Sequence, residues 1–558
     1  MARPRMRAIP LGGIGEVGKN MMIVEYRGDM VMIDSGTKFP EEEMRGIDLI
    51  IPDITYVIDN IQRFRAILIT HGHEDHIGSL PYVLPQLERI APVPIYGSPL
   101  ALAFARSRLD EARNAHLADF MPIEPGIVYS IGQHMEAEFI PVTHSIPGSM
   151  AVTLKTPVGR MIHTGDFKFD PTPPLGPRTD ADRLRELGDE GVLALFSDTV
   201  RIERKDATPS ESTVSATLDR IIGGATGRVI LTSFASNILR LEQAIQVGAK
   251  YGRKVGVVGR SMEQSVKVAI DLGYIQPPIG TMLPTDEVIK LPKDQILILT
   301  TGSQGEASAA LARMASGDHP LLRIQEGDTV ILSATPVPGN EETVAQTIDN
   351  LFKRGASVCY SAIEPSIHVS GHGGADELRQ MIELVRPTFC IPIHGEYRHL
   401  HLYQQLAIDA GIPPENTMIP ESGVPVSFSR NDMRKDPPVP YGAVLVDGLG
   451  TDRYRNVVLR HRDHLANTQV VIATVIVDLT RGVLIAGPEL TGKGFDDEDS
   501  RELIENAERE LKNYLERQLR KGGMSYGYLV SRVKDTVARY IFQKAKLRPM
   551  ILPVVTEL

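Results

Sequence analysis

The segment His71-Gly72-His73-Glu74-Asp75-His76 places four candidate metal ligands, His71, His73, Asp75 and His76, within six residues. They cannot all lie on one face of a strand or a helix, but a loop can turn them inward toward two adjacent ions. Imidazole nitrogens with few carboxylates suit zinc or manganese, whereas a calcium site would be built from oxygens. A lone histidine is usually structural or exposed. The HxHxDH spacing directly after the apolar run Ala66 to Thr70 is far more specific. Further ligands are expected at other strand ends, in Val142-Thr143-His144-Ser145, Ile162-His163-Thr164-Gly165-Asp166 and Pro392-Ile393-His394-Gly395-Glu396. Two cations about 3.5–4 Å apart lower the pKa of a shared water, so the chemistry predicted is hydrolysis.

The elements that must position these residues follow from hydrophobic patterning. The first ~200 residues read as strand-rich α/β. Met21 to Tyr26 and Met30 to Asp34 predict a hairpin about Arg27-Gly28-Asp29, and Ala66 to Thr70 a short strand feeding the histidine cluster. A proline-rich loop, Asp170 to Pro174, follows Asp166. From about Ser212 strands (Val229 to Thr232, Val255 to Val258, Ile296 to Thr300) alternate with helices such as Leu239 to Tyr251, the rhythm of a doubly wound parallel sheet. The charged, proline-rich stretch at 431–441 reads as a linker. Beyond it a long helix carries Ile504, Ala507, Leu511, Leu515 and Leu519 on one face, with Gly522 as a stop. Gly13-Ile14-Gly15-Glu16-Val17-Gly18 fits GxGxxG, but the strand-like Met21 to Tyr26 follows where a dinucleotide site needs a helix. It is read as a glycine-rich turn between strands.

Taken in order, HxHxDH, His144, Asp166 and His394 match the metal motifs of the metallo-β-lactamase superfamily. The long gap before His394, with Glu211 in Thr208-Pro209-Ser210-Glu211 and His372 in His368-Val369-Ser370-Gly371-His372-Gly373, matches its β-CASP nuclease branch. Within that branch the chain resembles ribonuclease J over nearly its full length. The segments that carry the likeness are Gly12 to Asn20, Phe234-Ala235-Ser236-Asn237, Val258-Gly259-Arg260-Ser261-Met262, Thr301 to Glu306, Pro338-Gly339-Asn340-Glu341 and Pro392 to Arg398. It departs at Thr199-Val200-Arg201, where the family commonly reads Ser-Thr-Asn after the aspartate, and at Ala307, where proline is common. Beyond Val446-Asp447-Gly448 the match is loose.

The resemblance implies an α/β fold: a metallo-β-lactamase αββα sandwich with an inserted β-CASP α/β domain and a C-terminal α+β domain. The expected divisions are 1–211 and 365–430 for the two parts of the sandwich, 212–364 for the insert and 442–558 for the C-terminal domain. It further implies that His71, His73 and His144 hold one metal and Asp75, His76 and His394 the other, with Asp166 bridging and His163 outside the set. Two divalent ions per subunit are expected, zinc foremost, then manganese or magnesium. Asp75 is read as orienting the attacking water, and His372, positioned by Glu211 or by Asp198, as donating a proton to the leaving 3′ oxygen. Backbone N–H groups of Ser370, Gly371 and Gly373 are expected to cradle a phosphate, with His368, His372, Ser333 and Arg260 as partners and Phe234 stacking on a base. The activity implied is a 5′-to-3′ exonuclease favouring 5′-monophosphate RNA, with endonuclease cuts, in RNA maturation and decay. A homodimer or homotetramer and association with an RNA-degradation complex are implied as well.

Composition bounds these readings. The 558 residues are too many for one hydrophobic core, and 42% hydrophobic with 23% charged residues is ordinary for a soluble globular protein. Two cysteines, Cys359 and Cys390, exclude a disulfide framework, and no apolar run is long enough to span a membrane, so a cytoplasmic location is expected. The net charge of −10 argues against wrapping in nucleic acid by electrostatics alone, though a channel can still be positive. A glyoxalase-like hydrolase needs neither the insert nor Glu211 and His372. A catalytically dead scaffold typically lacks metal ligands, and all seven positions are filled here. A DNA-directed nuclease of the same branch is the remaining alternative.

Overall fold

The computed structural model describes residues 4–40, 44, 47–303, 309–336, 340–446, 470–493, 495, 498–520, 526–545, 547 and 549–558. The expected features at Gln304 to Ala307, Pro338-Gly339, Asp447-Gly448 and Gly522 lie outside these residues. The chain divides into two compact units, 1–39 with 48–452 and 40–47 with 453–558.

The larger unit is built on two sheets. An eight-stranded sheet runs in the order Met433–Lys435, Val426–Phe428, Met6–Gly12, Met21–Tyr26, Asp29–Ile33, Phe64–Leu68, Val93–Gly97, Ala118–Pro122. A six-stranded sheet runs Phe389–Ile393, Ala194–Asp198, Gly159–His163, Met150–Thr156, Met135–Pro141, Val128–Ile131. Strict alternation explains the layering. Met22, Val24, Val31 and Ile33 face Phe139, Val152, Phe196 and Phe389 of the other sheet in one core. Their neighbours Met21, Ile23, Met30 and Met32 face outward onto helices. The outer face of the six-stranded sheet is covered by Ala181–Glu190, Ala375–Val385 and Tyr397–Asp409. The result is an αββα sandwich. The hairpin turns on Arg27-Gly28 alone, because Tyr26 pairs with Asp29.

Between Ala194–Asp198 and its parallel neighbour Phe389–Ile393 the chain leaves the sandwich and forms a separate sheet. That sheet is wholly parallel, in the order Lys254–Val258, Ile296–Thr300, Val229–Thr232, Thr329–Leu332, Ser357–Cys359. Helices cover both its faces, as parallel strands require. Its helix Ser212–Gly224 and the sandwich helix Pro99–Glu111 share one apolar core, which joins the insert to the sandwich.

The smaller unit carries a three-stranded sheet, Val483–Lys493, Val470–Asp478, Met550–Glu557, with Glu498–Leu519 and Tyr526–Ala545 packed on one face. One expectation is corrected here. The stretch at 431–441 is no free linker: Met433–Lys435 within it pairs with Val426–Phe428, because that edge offers unpaired backbone. Just beyond it Ala443–Val446 pairs with Leu49–Pro52. The stripe Ile504, Ala507, Leu511, Leu515, Leu519 is covered within its own unit. It packs on Val471, Val475 and Ile551 of its own unit, with Ala507, Leu511 and Leu515 wholly buried. Among the described residues no helix is long and apolar enough to cross a membrane.

Candidate metal centre and active site

The candidate ligands gather at one edge of the two sheets, four of them just past strand ends, with Asp75 and His76 on the short helix Glu74–Ile77 and His73 as its N-cap. His71 follows Phe64–Leu68, His144 follows Met135–Pro141, Asp166 follows Gly159–His163, and His394 ends Phe389–Ile393. Backbone bonds fix the HxHxDH loop: Asn20, Ser35 and Thr37 donate N–H to the carbonyls of Asp75, His76 and Glu74 at 3.0, 2.7 and 3.1 Å. Gly36 must be glycine, since a Cβ there would stand 1.6 Å from the Asp75 carbonyl oxygen. His394 holds a left-handed φ of 48°, a strained conformation for a side-chain-bearing residue. It is pinned there by its N–H to Gly13 O at 2.8 Å and by the parallel pairing of Ile14-Gly15 with Gly395-Glu396. The GxGxxG turn therefore serves as a support for the His394 loop.

Two ligand groups share Asp166. His71, His73, His144 and Asp166 bring one donor atom each within 4.8 Å of one another, and so do Asp75, His76, Asp166 and His394. His71 Nε2 and His144 Nε2 lie 3.1 and 3.2 Å from His73 Nδ1. Asp166 Oδ2 stands 3.6, 3.7 and 3.3 Å from His71, His144 and His76 Nε2. His394 Nε2 is buried with no hydrogen-bond partner among the described residues, 3.5 Å from Asp75 Oδ2. Burial pushes the His73 imidazole down to about 4 and drives His71 and His144 well below the usual histidine range. They are neutral donors, the form a metal takes. At His76 and His394 burial is outweighed by Asp166 and Asp75, which hold a proton on the rings that a cation would displace. Nitrogen-rich donors sharing one carboxylate, and a buried orphan nitrogen, fit two zinc-class ions.

Residues that the sequence reading missed orient these ligands. Asp34 accepts from His76 Nδ1 at 2.7 Å and from Thr70 N and Oγ1 at 2.8 Å each, and Thr70 Oγ1 meets His71 Nδ1 at 3.0 Å. The Gly371 carbonyl accepts from His144 Nδ1 at 2.8 Å. These outer bonds turn Nε2 of the three rings inward. Asp34 followed a strand-like run, so its position was a usable signal; nothing local marked the Gly371 carbonyl. His163 Nδ1 accepts from Gly165 N at 3.1 Å, and His163 joins none of the ligand groups among the described residues.

His372 is half-buried beside the centre, its Nδ1 2.7 Å from Asp198 Oδ2 and its Nε2 3.9 Å from Asp166 Oδ2. Burial opposes its charge, but Asp198 and then Asp166 outweigh it and raise its pKa. Of the two partners expected for His372, the structure brings Asp198 alone. Glu211 is buried elsewhere: its Oε2 accepts from Arg240 Nη2 at 2.8 Å, and Lys168 Nζ lies 3.9 Å from Oε1. Its carboxylate is tied to a cation 29 positions along the chain, a pairing no motif position reveals.

Of the three N–H groups expected to cradle a phosphate, that of Gly373 is already engaged. The Gly373 N–H goes to Phe167 O at 2.7 Å and the His372 N–H to Ser370 Oγ at 3.1 Å. Gly371 is buried, and its missing Cβ lets it approach His144, whose ring a Cβ would meet at 2.5 Å. Ser333 is wholly buried, donating to Ile367 O and accepting from Arg240. His368, Ser370 and Phe234 are half-buried, and Arg260 is exposed at the start of Arg260–Asp271.

Residues 14–230 match the model of the metallo-β-lactamase superfamily, 226–351 that of the ribonuclease J β-CASP domain, 361–420 that of the Zn-dependent metallo-hydrolase RNA specificity domain, and 457–558 that of the ribonuclease J C-terminal domain. The chain is similar to ribonuclease J 1 of Streptococcus pyogenes, 40% identical with 98% of this chain and 96% of that protein covered. It is similar to ribonuclease J2 of Bacillus subtilis, 37% identical (99% and 98%), and to ribonuclease J of Thermus thermophilus, 39% identical (98% and 95%). A crystal structure of a protein of unknown function from Enterococcus faecalis superposes with a TM-score of 0.52 at 16% identity, over 76% of this chain and all of that one, a likeness of fold.

Proposed function

The chain belongs to the ribonuclease J family of metal-dependent ribonucleases, and on that premise we propose that it degrades single-stranded RNA from a 5′-monophosphorylated end, with internal cuts as a second mode. The observation that carries the reading is the pair of ligand groups sharing Asp166, with the Asp198–His372 pair beside them. His71, His73 and His144 would hold one zinc, Asp75, His76 and His394 the other, and Asp166 both. When bound, such ions supply a water of lowered pKa and neutralise charge on the phosphate oxygens. Asp75, whose side chain is 31% exposed, faces the opening and orients that water by accepting its hydrogen bond. His372, held by Asp198 with Nε2 toward the centre, gives its proton to the leaving 3′ oxygen. Ser370 and His368 line the approach where the 5′-phosphate sits, Phe234 offers a half-buried ring to a base, and Arg260 an exposed charge to the strand. RNA rather than DNA is favoured by the match at 361–420. A homodimer, or a tetramer of two such dimers, is proposed on the family likeness.

The test is incubation of metal-loaded protein with matched 5′-monophosphate RNA, 5′-triphosphate RNA and single-stranded DNA. Mononucleotides accumulating from the 5′-monophosphate end are expected. Internal cuts alone, equal on both RNAs, would remove the exonuclease claim; cleavage confined to DNA would overturn the whole reading.

A further inference from the structure

Arg201 is a half-buried cation with no ion-pair partner among the described residues. It lies three residues past Asp198, the residue that holds His372. Its Nη1 donates to Thr208 Oγ1 at 2.7 Å, and that hydroxyl donates to the His372 carbonyl at 2.7 Å. The guanidinium is thus fastened, through one side chain, to the backbone of the proton donor. Among the described residues no carboxylate comes within ion-pair distance of it, although the side chain is half-buried. Glu377, the nearby acid, has its oxygens engaged by the N–H groups of Phe169, Thr208 and Gly374 at 2.7, 2.6 and 2.9 Å. Burial lowers the Arg201 pKa, and the charge of Glu377 does not offset it, so a close counter-charge would relieve a cost in the free protein. Arg201 also acts on the approach to the site: with Arg240 and Lys168 it adds to the burial that pushes His368 down to about 3. The loop that carries it is held in place by Ala375 N donating to Arg204 O at 2.8 Å, so the charge is presented from fixed backbone.

Resting on the ribonuclease reading above, we propose that Arg201 binds a phosphate of the RNA strand next to the scissile one, and that this phosphate supplies the close ion-pair partner that no described carboxylate gives it. Planar N–H donors suit phosphate oxygens, and with only Nη1 engaged by Thr208 the others remain for the ligand. Thr208 sets the register: through it the bound phosphate and the His372 ring are fixed relative to one another.

The test uses metal-loaded, full-length protein and steady-state cleavage of single-stranded oligoribonucleotides bearing a 5′-monophosphate or a 5′-hydroxyl, across a salt series. Arg201→Gln should raise KM about tenfold, the scale of a lost charge-assisted hydrogen bond. The plot of log(kcat/KM) against log salt should become shallower by about 0.7, one phosphate contact. Arg201→Lys, which keeps the charge, should restore the slope but only part of the KM, a split that a purely structural arginine would not give. Thr208→Val, which loosens the tether, should raise KM with the slope kept. A loss on both RNAs assigns an internal phosphate; a loss confined to the monophosphate assigns the terminal one; either supports the proposal. Unchanged KM and slope in a folded Arg201→Gln overturns it. A wild type that leaves RNA uncut overturns the functional reading, and this proposal with it, so the two failures are told apart by the wild-type lane.

Discussion

Asp75→Ala should abolish RNA cleavage, by on the order of 10³-fold or more, while the protein stays folded. The size follows from a double role: Asp75 Oδ2 lies 3.5 Å from both His76 Nε2 and His394 Nε2, in one ligand group, and in the proposed mechanism it orients the attacking water. The fold survives because the Asp75 backbone carbonyl keeps the Asn20 N–H at 3.0 Å and Asn20 Nδ2 at 3.2 Å, and of the bonds to Asn20 the substitution removes only the longer one, from Asn20 Nδ2 to Asp75 Oδ2 at 3.3 Å. His76→Ala should be equally inactive but less stable. It empties a buried site, although Asp34 would retain the Thr70 N–H and hydroxyl at 2.8 Å each. Cleavage rates beside thermal melting curves check both variants. Full activity in a metal-verified Asp75→Ala would remove the site assignment.

His372→Ala should lower kcat by about 10²–10⁴-fold, the range for loss of a positioned proton donor. Melting should change little, since the bonds that anchor the loop, His372 N to Ser370 Oγ and Thr208 Oγ1 to His372 O, use its backbone. Asp198→Asn should cost about 10–100-fold, because an amide can present its NH₂ to His372 Nδ1 and turn the ring to the wrong tautomer. The two effects should not add in the double variant, since both act through one proton. Multiplicative losses would separate Asp198 from His372.

The metal centre was legible because its ligands sit at strand ends, where side-chain type and apolar spacing are both local signals. His71 to His76 announce a site within six residues, and His144, Asp166 and His394 each close a strand. What orients them was not legible. The Gly371 carbonyl meets His144 across 227 positions, and Asp198 meets His372 across 174, pairings made by topology alone. Glu211 shows the limit of a motif position: it fixes where the residue stands in the chain but not where the carboxylate points, and the structure turns it to Arg240. The helix stripe Ile504 to Leu519 shows another. An apolar face reads the same whether its partner is a second subunit or its own sheet, and here it is the sheet. Gly13 to Gly18 does link Met6–Gly12 to Met21–Tyr26 as read, but it holds a two-residue strand, Ile14–Gly15, whose use as a buttress for His394 depended on a strand some 380 residues away.

The most direct test of the account is anomalous diffraction at the zinc edge from crystals of the zinc-loaded protein. Two peaks about 3.5–4 Å apart are predicted, one within His71, His73, His144 and Asp166 and the other within Asp75, His76, Asp166 and His394. Asp166, Asp198, His372 and His394 form a third group of compatible spacing, which the mechanism leaves metal-free so that His372 can carry a proton. A single peak, or a peak in that third group, would contradict the account.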